Sequence, residues 1–491
     1  MSRTPRPQSL PLRSPRANEK LGDWLYRELR SGILEGRLQP GSLLPPTRAL
    51  AKECGVSRGT VVGVFEQMIA EGYLESRPGS GTSVHRNLPD RFFEAPKAAA
   101  SSAKFVMGTL SRRSRLLMAS PFPKTPEALR EVRAFTANRP SVRHFPADLW
   151  SRLISRRMRL ATREILQAGD VAGLRPLREG IASHLAATRG VVCDPAQIFI
   201  FSGIQPALDL ITRLTLEPGD EAWMEDPGYP GAAGILRAAE ARIVPVPVDQ
   251  HGLQVEEGLS RAPQARFAYV TPANQFPLCV TLPLNRRLQL IEWSRSTGAW
   301  IFEDDYDSEF RFDGRPLAAL QSLAPGGNVI FSGSFSKMLF PSLRMAYVVV
   351  PPHLVDAMTE ARSLLDRFTA PLAQAVLAEF IGEGHFDRHL RRMRQIYAEH
   401  LSTLTTAAEA EWGDRLKIQT TRSGLQTVGW LAKGFDDEKF CHAARGAGVA
   451  LMPVSRWAVN WKKRNAVQIG FAAVELEELR RGVRAVAKLL D

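Results

Sequence analysis

Cysteine is scarce: Cys54, Cys193, Cys279 and Cys441 are the only four in 491 residues, far apart and without a CxxC pair. A disulfide framework and thiol-held zinc are therefore not expected, and a reducing cytoplasm fits. No metal site is expected. Long apolar runs are missing too. None approaches the roughly 20 residues that span a bilayer, so no membrane partner is expected. The opening stretch, MSRTPRPQSLPLRSPR, has charge and proline but not the apolar core of a secretory signal. With 44% hydrophobic and 23% charged residues, the composition excludes wholesale disorder and a fibrous rod.

What the chain has in excess is positive charge, and the excess is localised. The net charge is +13, yet residues 1–126 alone carry 20 basic and 10 acidic side chains. A basic end on a near-neutral body is the signature of a segment that meets phosphate backbones. At roughly 100–200 residues per domain, a chain of this length holds several domains. Three segments are expected: a head over 19–86, a flexible basic linker over 87–126 and a body over 127–491.

In the head, Leu21, Leu25, Leu29 and Ile33 mark one apolar helical stripe, which Gly36 and Pro40-Gly41 end. A short helix follows around Thr47–Cys54. Gly55 breaks it and Ser57 is placed to cap the next helix, in which Val61, Val64, Phe65 and Met68 share a face. Tyr73–Arg77 and Thr82–Val84, separated by Pro78-Gly79-Ser80-Gly81, read as a hairpin. Helix, turn, capped helix and hairpin make a winged helix-turn-helix, whose second helix enters the major groove of double-stranded DNA. Arg58 there can reach a guanine, Ser57 and Thr60 can take bases or phosphates, and Arg48 is placed for a phosphate. Arg77 and the backbone of Gly79 stand at the wing tip. In the linker, Leu116-Leu117-Met118 is a candidate docking helix.

In the body, seven short apolar runs alternate with helical stretches: Ile198–Phe201, Glu221–Met224, Ile243–Val248, Phe267–Val270, Trp300–Phe302, Val329–Phe331 and Tyr347–Val350. Alternation of this kind predicts an α/β fold around a mainly parallel seven-stranded sheet. Polar clusters follow the runs, and in open α/β sheets ligands bind at the carboxyl ends of strands.

The clusters point to one cofactor. In SGSFSKMLFPSLR, Lys337 closely follows a strand among small hydroxyl residues. A lysine of depressed basicity can form a Schiff base with an aldehyde. Ser334, Ser336 and Arg344 supply what a phosphate needs. An aldehyde with a phosphate points to pyridoxal 5′-phosphate. In EDDYD, Asp304 can face a pyridine nitrogen and Tyr306 a ring oxygen. Two-residue periodicity places Asp305 and Asp307 on the opposite side. Tyr229, in EDPGYPG, can stack on the ring. Gly203-Ile204, in FSGIQPAL, open a helix whose amides can bind phosphate.

These motifs carry a resemblance. LYRELRSGILEGRLQPGSLLPPTRALAKECGVSRGTVVGVFEQMIAEGYLESRPGSGT resembles the winged-helix domain of the GntR family over its full length. Residues from about 135 to 490 resemble the fold-type I, aspartate-aminotransferase-like enzymes that use pyridoxal 5′-phosphate. The joined architecture looks like the MocR subfamily of GntR regulators. The resemblance implies a homodimer that binds DNA, with Lys337 as the imine lysine. It implies Asp304 on the pyridine nitrogen, Tyr306 on O3′, Tyr229 stacked, and Ser334, Ser336 and Arg344 on the phosphate. It also implies that Arg456, in PVSRW, receives a ligand carboxylate.

The chain departs from that pattern at several positions. Ala168 stands where a tyrosine is usual, and Asn274, Leu278 and Cys279 stand where His, Thr and Gly are usual. Gln468 occupies the place of the substrate-carboxylate arginine of aminotransferases. The imine and ring contacts are present, so cofactor binding is expected; the departures count against efficient transamination. The implied function is a regulator that senses an amino compound through external aldimine formation. The alternatives are an active aminotransferase with an accessory DNA-binding head, and a regulator whose pocket binds something else or nothing.

Overall fold

The computed structural model describes residues 10, 12–15, 19–77, 81–88, 108–118, 131–160, 163–167, 169–312, 314, 318–463 and 465–490. The chain divides into two compact units, residues 1–108 and 109–491, with the division inside the expected linker.

The first unit contains α1 (Leu21–Leu34), α2 (Thr47–Cys54), α3 (Arg58–Ala70), β1 (Leu74–Arg77) and β2 (Gly81–Val84). Gly55 ends α2 in the left-handed conformation that glycine adopts without a steric penalty. The Ser57 hydroxyl then accepts the Thr60 N–H at 3.0 Å and starts α3, as its sequence position predicts. β1 and β2 pair antiparallel from Leu74↔Val84 to Arg77↔Gly81, which is the wing. Leu25, Leu29 and Ile33 of α1 pack against Val61, Phe65 and Met68 of α3. The expected stripe is displaced at its start: Leu21 is 44% exposed and Trp24 is buried in its place. The Trp24 indole N–H donates to the Arg13 carbonyl at 2.8 Å, so the preceding segment fixes the ring inward.

The second unit opens with α4 (Arg112–Met118), over the segment read as a candidate docking helix. Its sheet has eight strands rather than the expected seven. They are β3 (Ile198–Phe201), β4 (Glu221–Asp226), β5 (Arg242–Asp249), β6 (Gly252–Leu253), β7 (Phe267–Val270), β8 (Trp300–Asp305), β9 (Val329–Ser334) and β10 (Ala346–Val349). Their spatial order is β3-β10-β9-β8-β7-β4-β5-β6. The five strands from β9 to β5 run parallel, whereas β10 and β6 pair antiparallel with their neighbours. All seven apolar runs become strands. The eighth, β6, has two residues and no run to announce it. Helices cover both faces, which is why β3 and β7 are buried at every position.

A second sheet, unannounced by the apolar runs, follows the long helix His385–Trp412. It comprises β11 (Leu416–Ile418), β12 (Gln426–Leu431), β13 (Met452–Pro453) and β14 (Ala466–Gly470), antiparallel in the order β11-β12-β14-β13. All four cysteines are free; Cys54 and Cys193 are half-buried, Cys279 and Cys441 buried. Among the described residues, no helix is long and apolar enough to cross a membrane, and no side-chain cluster could hold a metal ion.

Candidate functional site

In the first unit the candidate recognition residues Ser57, Arg58 and Thr60 gather at the start of α3, and Arg48 lies on α2. Arg48, Ser57 and Arg58 are exposed and Thr60 is half-buried. The Ser57 and Thr60 hydroxyls bond each other at 2.8 Å while Ser57 caps the helix. Arg58 is left facing solvent at the helix N-terminus, where a cation has no favourable dipole to meet. Arg77, exposed on the wing, pairs with Glu75 at 3.1 Å. Gly79 lies outside the described residues.

In the second unit the strand ends form a cavity of about 250 Å³. Ile204, Tyr229, Asp304, Tyr306, Ser334 and Lys337 all line it. β9 ends at Ser334, and the single helical turn Phe335–Met338 presents Lys337 to the cavity. Burial disfavours its ammonium and lowers its pKa from 10.5 to about 8, against the opposing field of Asp307. Its Nζ donates to the Asn138 carbonyl at 2.7 Å.

Asp304 sits near the end of β8. Burial raises its carboxyl from 3.8 to about 6, although the Tyr269 and Ser332 hydroxyls both donate to it, at 2.5 and 3.2 Å. A cationic ring nitrogen opposite it would supply the charge that its surroundings lack. Tyr306 is buried and its hydroxyl has no hydrogen-bond partner among the described residues. The Tyr229 ring stacks towards Tyr269 at 6.2 Å and 27°. Glu225, at the end of β4, accepts from the Thr271 hydroxyl and Gln275; burial lifts it to about 7.

Of the phosphate-binding candidates, Ile204 and Ser334 belong to this lining, whereas Gly203, Ser336 and Arg344 do not. Gly203 precedes the helix Ile204–Thr215, and a Cβ there would fall 2.8 Å from Arg344 Nη2. Only glycine lets the guanidinium lie against that helix N-terminus. The Ser336 hydroxyl accepts the Met345 N–H at 3.2 Å, leaving its own proton to donate.

One expectation for EDDYD fails. Asp305 does face away, pairing with Arg189 at 2.6 Å. Asp307 does not: its carboxylate accepts from Asn274 Nδ2 at 2.9 and 3.0 Å and its field reaches Lys337. β8 ends at Asp305, so alternation stops there and the chain turns. Asn274 is thus the partner of Asp307. Leu278 and Cys279 are buried against Val248, Val428 and Val454, and Gln468 Oε1 accepts the Trp457 indole N–H at 3.0 Å. Arg456 is exposed, its guanidinium 5.5 Å from the centre of the Trp457 ring. Ala168 lies outside the described residues.

Sequence reasoning missed Asn138, Tyr269 and Trp457, which also line the cavity. Any residue can supply a carbonyl, so nothing in the sequence marks Asn138 as the acceptor. Tyr269 lies inside an apolar run and reads as core. Trp457 adjoins the singled-out Arg456 and could have been found from it.

Residues 21–84 match the gntR family of bacterial regulatory proteins, and residues 134–486 match aminotransferase class I and II. The probable rhizopine catabolism regulatory protein MocR of Rhizobium meliloti is 39% identical over 463 residues, spanning 94% of this chain and 92% of its own. The HTH-type transcriptional regulator TauR of Rhodobacter capsulatus is 30% identical, spanning 97% and 98%. The crystal structure of LysN, the α-aminoadipate aminotransferase of Thermus thermophilus, superposes with a TM-score of 0.70 at 28% identity. It covers 78% of this chain and 97% of its own, so the remainder of this chain has no counterpart in the enzyme. LysN was solved with N-(5′-phosphopyridoxyl)-L-leucine, and pyridoxal 5′-phosphate is the cofactor indicated here. The unpartnered Tyr306 hydroxyl and the bare Gly203 beside Arg344 fit that group.

Proposed function

The chain belongs to the MocR-type transcriptional regulators, in which a gntR head is joined to an aminotransferase class I and II domain, and we propose that it reports an amino compound to a DNA operator. The observation that carries the reading is the union, in one chain, of exposed Arg58 on a capped helix with a cavity built round Lys337 of depressed basicity. We assign the head to 19–86, the linker to 87–126 and the effector domain to 127–491, acting as a cytoplasmic homodimer.

Bound pyridoxal 5′-phosphate supplies an aldehyde that takes up amines and a ring that withdraws electrons. Lys337 would hold it covalently, since an amine titrating near 8 is partly unprotonated, and so nucleophilic, at neutral pH. Asp304 would keep the ring nitrogen protonated. Tyr306 would donate to the ring oxygen and Tyr229 would cover the ring face. Arg344, Ser334, Ser336 and the amides of Gly203 and Ile204 would hold the phosphate. Two states of the body could then bias the head only by the ligand's differential affinity for them, typically about 1–3 kcal/mol.

The test supplies the cofactor, reduces with borohydride and follows operator binding at fixed salt while amines are titrated. Protein that becomes coloured, keeps the cofactor after reduction and changes operator affinity with amine supports the reading. In Lys337→Ala both the covalent capture and the amine response should disappear. Wild-type protein that stays colourless and retains nothing overturns it.

A further inference from the structure

The chain passes beside Lys337 on a strap, residues 134–141, that is fixed at both ends. At one end the Ala134 and Phe135 carbonyls accept the Ala450 and Gly470 N–H groups, at 2.9 and 3.0 Å. At the other end the Ser141 N–H donates to the buried Tyr397 hydroxyl at 2.9 Å. Between these anchors, among the described residues, one hydrogen bond ties residues 137–140 to the rest of the body. It runs from Lys337 Nζ to the Asn138 carbonyl, at 2.7 Å. Asn138 also lines the cavity. The strap turns through two left-handed residues that are not glycine, Phe135 at φ 70° and Asn138 at φ 61°. That conformation is tolerated by asparagine and disfavoured for a bulky residue, and it persists where the surroundings hold it. Lys337 is one of the groups that hold this strap.

We propose that the strap reports the bonding state of Lys337: the Asn138 carbonyl holds it down while the lysine amine is free, and loses its donor when the cofactor engages that nitrogen. The inference rests on the reading of Lys337 as the lysine that captures pyridoxal 5′-phosphate. A free lysine ammonium carries three N–H donors and can turn one to Asn138. Capture of the aldehyde expels water and leaves the lysine nitrogen double-bonded to carbon, with at most one proton, held in the plane of that bond. The Asn138 carbonyl then gives up a charge-assisted hydrogen bond. An incoming primary amine reverses this. Its nitrogen takes over the double bond to the cofactor carbon, the bond from that carbon to the lysine nitrogen breaks, and the two protons of the amine pass to the lysine. Lys337 is again a donor, and the strap is drawn down. The strap thus supplies the two states that a response to amine requires, switched at a single atom.

The experiment uses full-length protein and follows hydrogen exchange of peptides covering residues 131–146 by mass spectrometry. Hydroxylamine is the probe, because its nitrogen displaces lysine without a side chain that must be recognised. Exchange in the strap should be slow without cofactor, roughly tenfold faster with pyridoxal 5′-phosphate bound, and slow again after hydroxylamine. Once borohydride has made the bond to Lys337 permanent, hydroxylamine should change nothing. Asn138→Gly keeps the left-handed turn and its carbonyl, so the hydroxylamine response should persist. Asn138→Val sets a β-branched residue where it is strained, and the response should shrink roughly tenfold. Equal exchange in the loaded and hydroxylamine-treated forms overturns the proposal, as does an undiminished response in Asn138→Val. Protein that never takes up the cofactor overturns the parent reading together with it. A strap that answers hydroxylamine while operator affinity ignores every amine upholds the proposal and removes amine sensing.

Discussion

The DNA-reading head and the effector cavity hold their working groups in opposite surroundings. Arg48, Arg58 and Arg77 stand in solvent on α2, α3 and the wing, held by local capping and pairing. In the cavity, Glu225 and Asp304 are 3% and 6% exposed, their carboxyls lifted to about 7 and about 6, and Lys337 is depressed to about 8. The contrast matches the two targets proposed for them. A duplex is a polyanion of fixed charge, met by solvated cations and counterion release. A small amine changes protonation as it reacts, and groups poised near neutrality can exchange protons with it.

Substitutions that touch one environment and spare the other sharpen this contrast. The largest effect is expected at Gly203. Gly203→Ala puts a Cβ 2.8 Å from Arg344 Nη2, so the guanidinium must retreat from the helix N-terminus. Cofactor affinity should fall roughly ten- to a hundredfold, the equivalent of a lost charge-assisted contact. An absorbance titration checks this; an unchanged affinity would detach Arg344 from the phosphate. Arg58→Ala should cost about 1–3 kcal/mol of discrimination at one base pair and leave the cofactor's absorption alone. Competition between operator variants at constant salt measures it, and a uniform loss across all sequences would make Arg58 a phosphate contact.

Ser57→Ala removes the cap of α3 and should destabilise the head by about 1 kcal/mol. Calorimetry should show the head's transition move and the body's stay. The smallest effect is a slope. The Glu225 carboxyl, raised from 4.5 to about 7, keeps in the folded state a proton that the unfolded chain releases across that interval. Wild-type stability therefore loses ground as pH climbs from 4.5 to 7, and Glu225→Gln escapes that loss. The variant should gain on wild type through this window, as thermal unfolding at several pH values would show. Parallel curves would mean that Glu225 is ionised in both states.

Much of this was legible in the chain because it is locally encoded. The cap at Ser57, the turn at Gly55, the wing and the seven apolar runs each depend on neighbours in sequence. So do Ser334, Ser336, Lys337 and Arg344, which lie within one short motif. Features set by distant segments were not legible. β11 and β13 have three and two residues, too few for a pattern, and depend on β12 and β14 for pairing. Asp307 departs from its expected side because β8 stops two residues earlier and Asn274 waits in the loop that follows β7. Trp24 displaces Leu21 because a carbonyl outside the helix holds its indole.

The cysteine inventory has a practical sequel. Cys54 and Cys193 are the two half-buried thiols, one in each compact unit, while Cys279 and Cys441 are sealed in the interior. Burial raises both thiols, Cys193 to about 11, so both should take up a thiol-reactive dye slowly at neutral pH and faster in alkaline solution. Nature has thus provided a donor and an acceptor position for energy transfer. The unmutated protein can serve as its own ruler for the distance between reader and sensor as an effector is added.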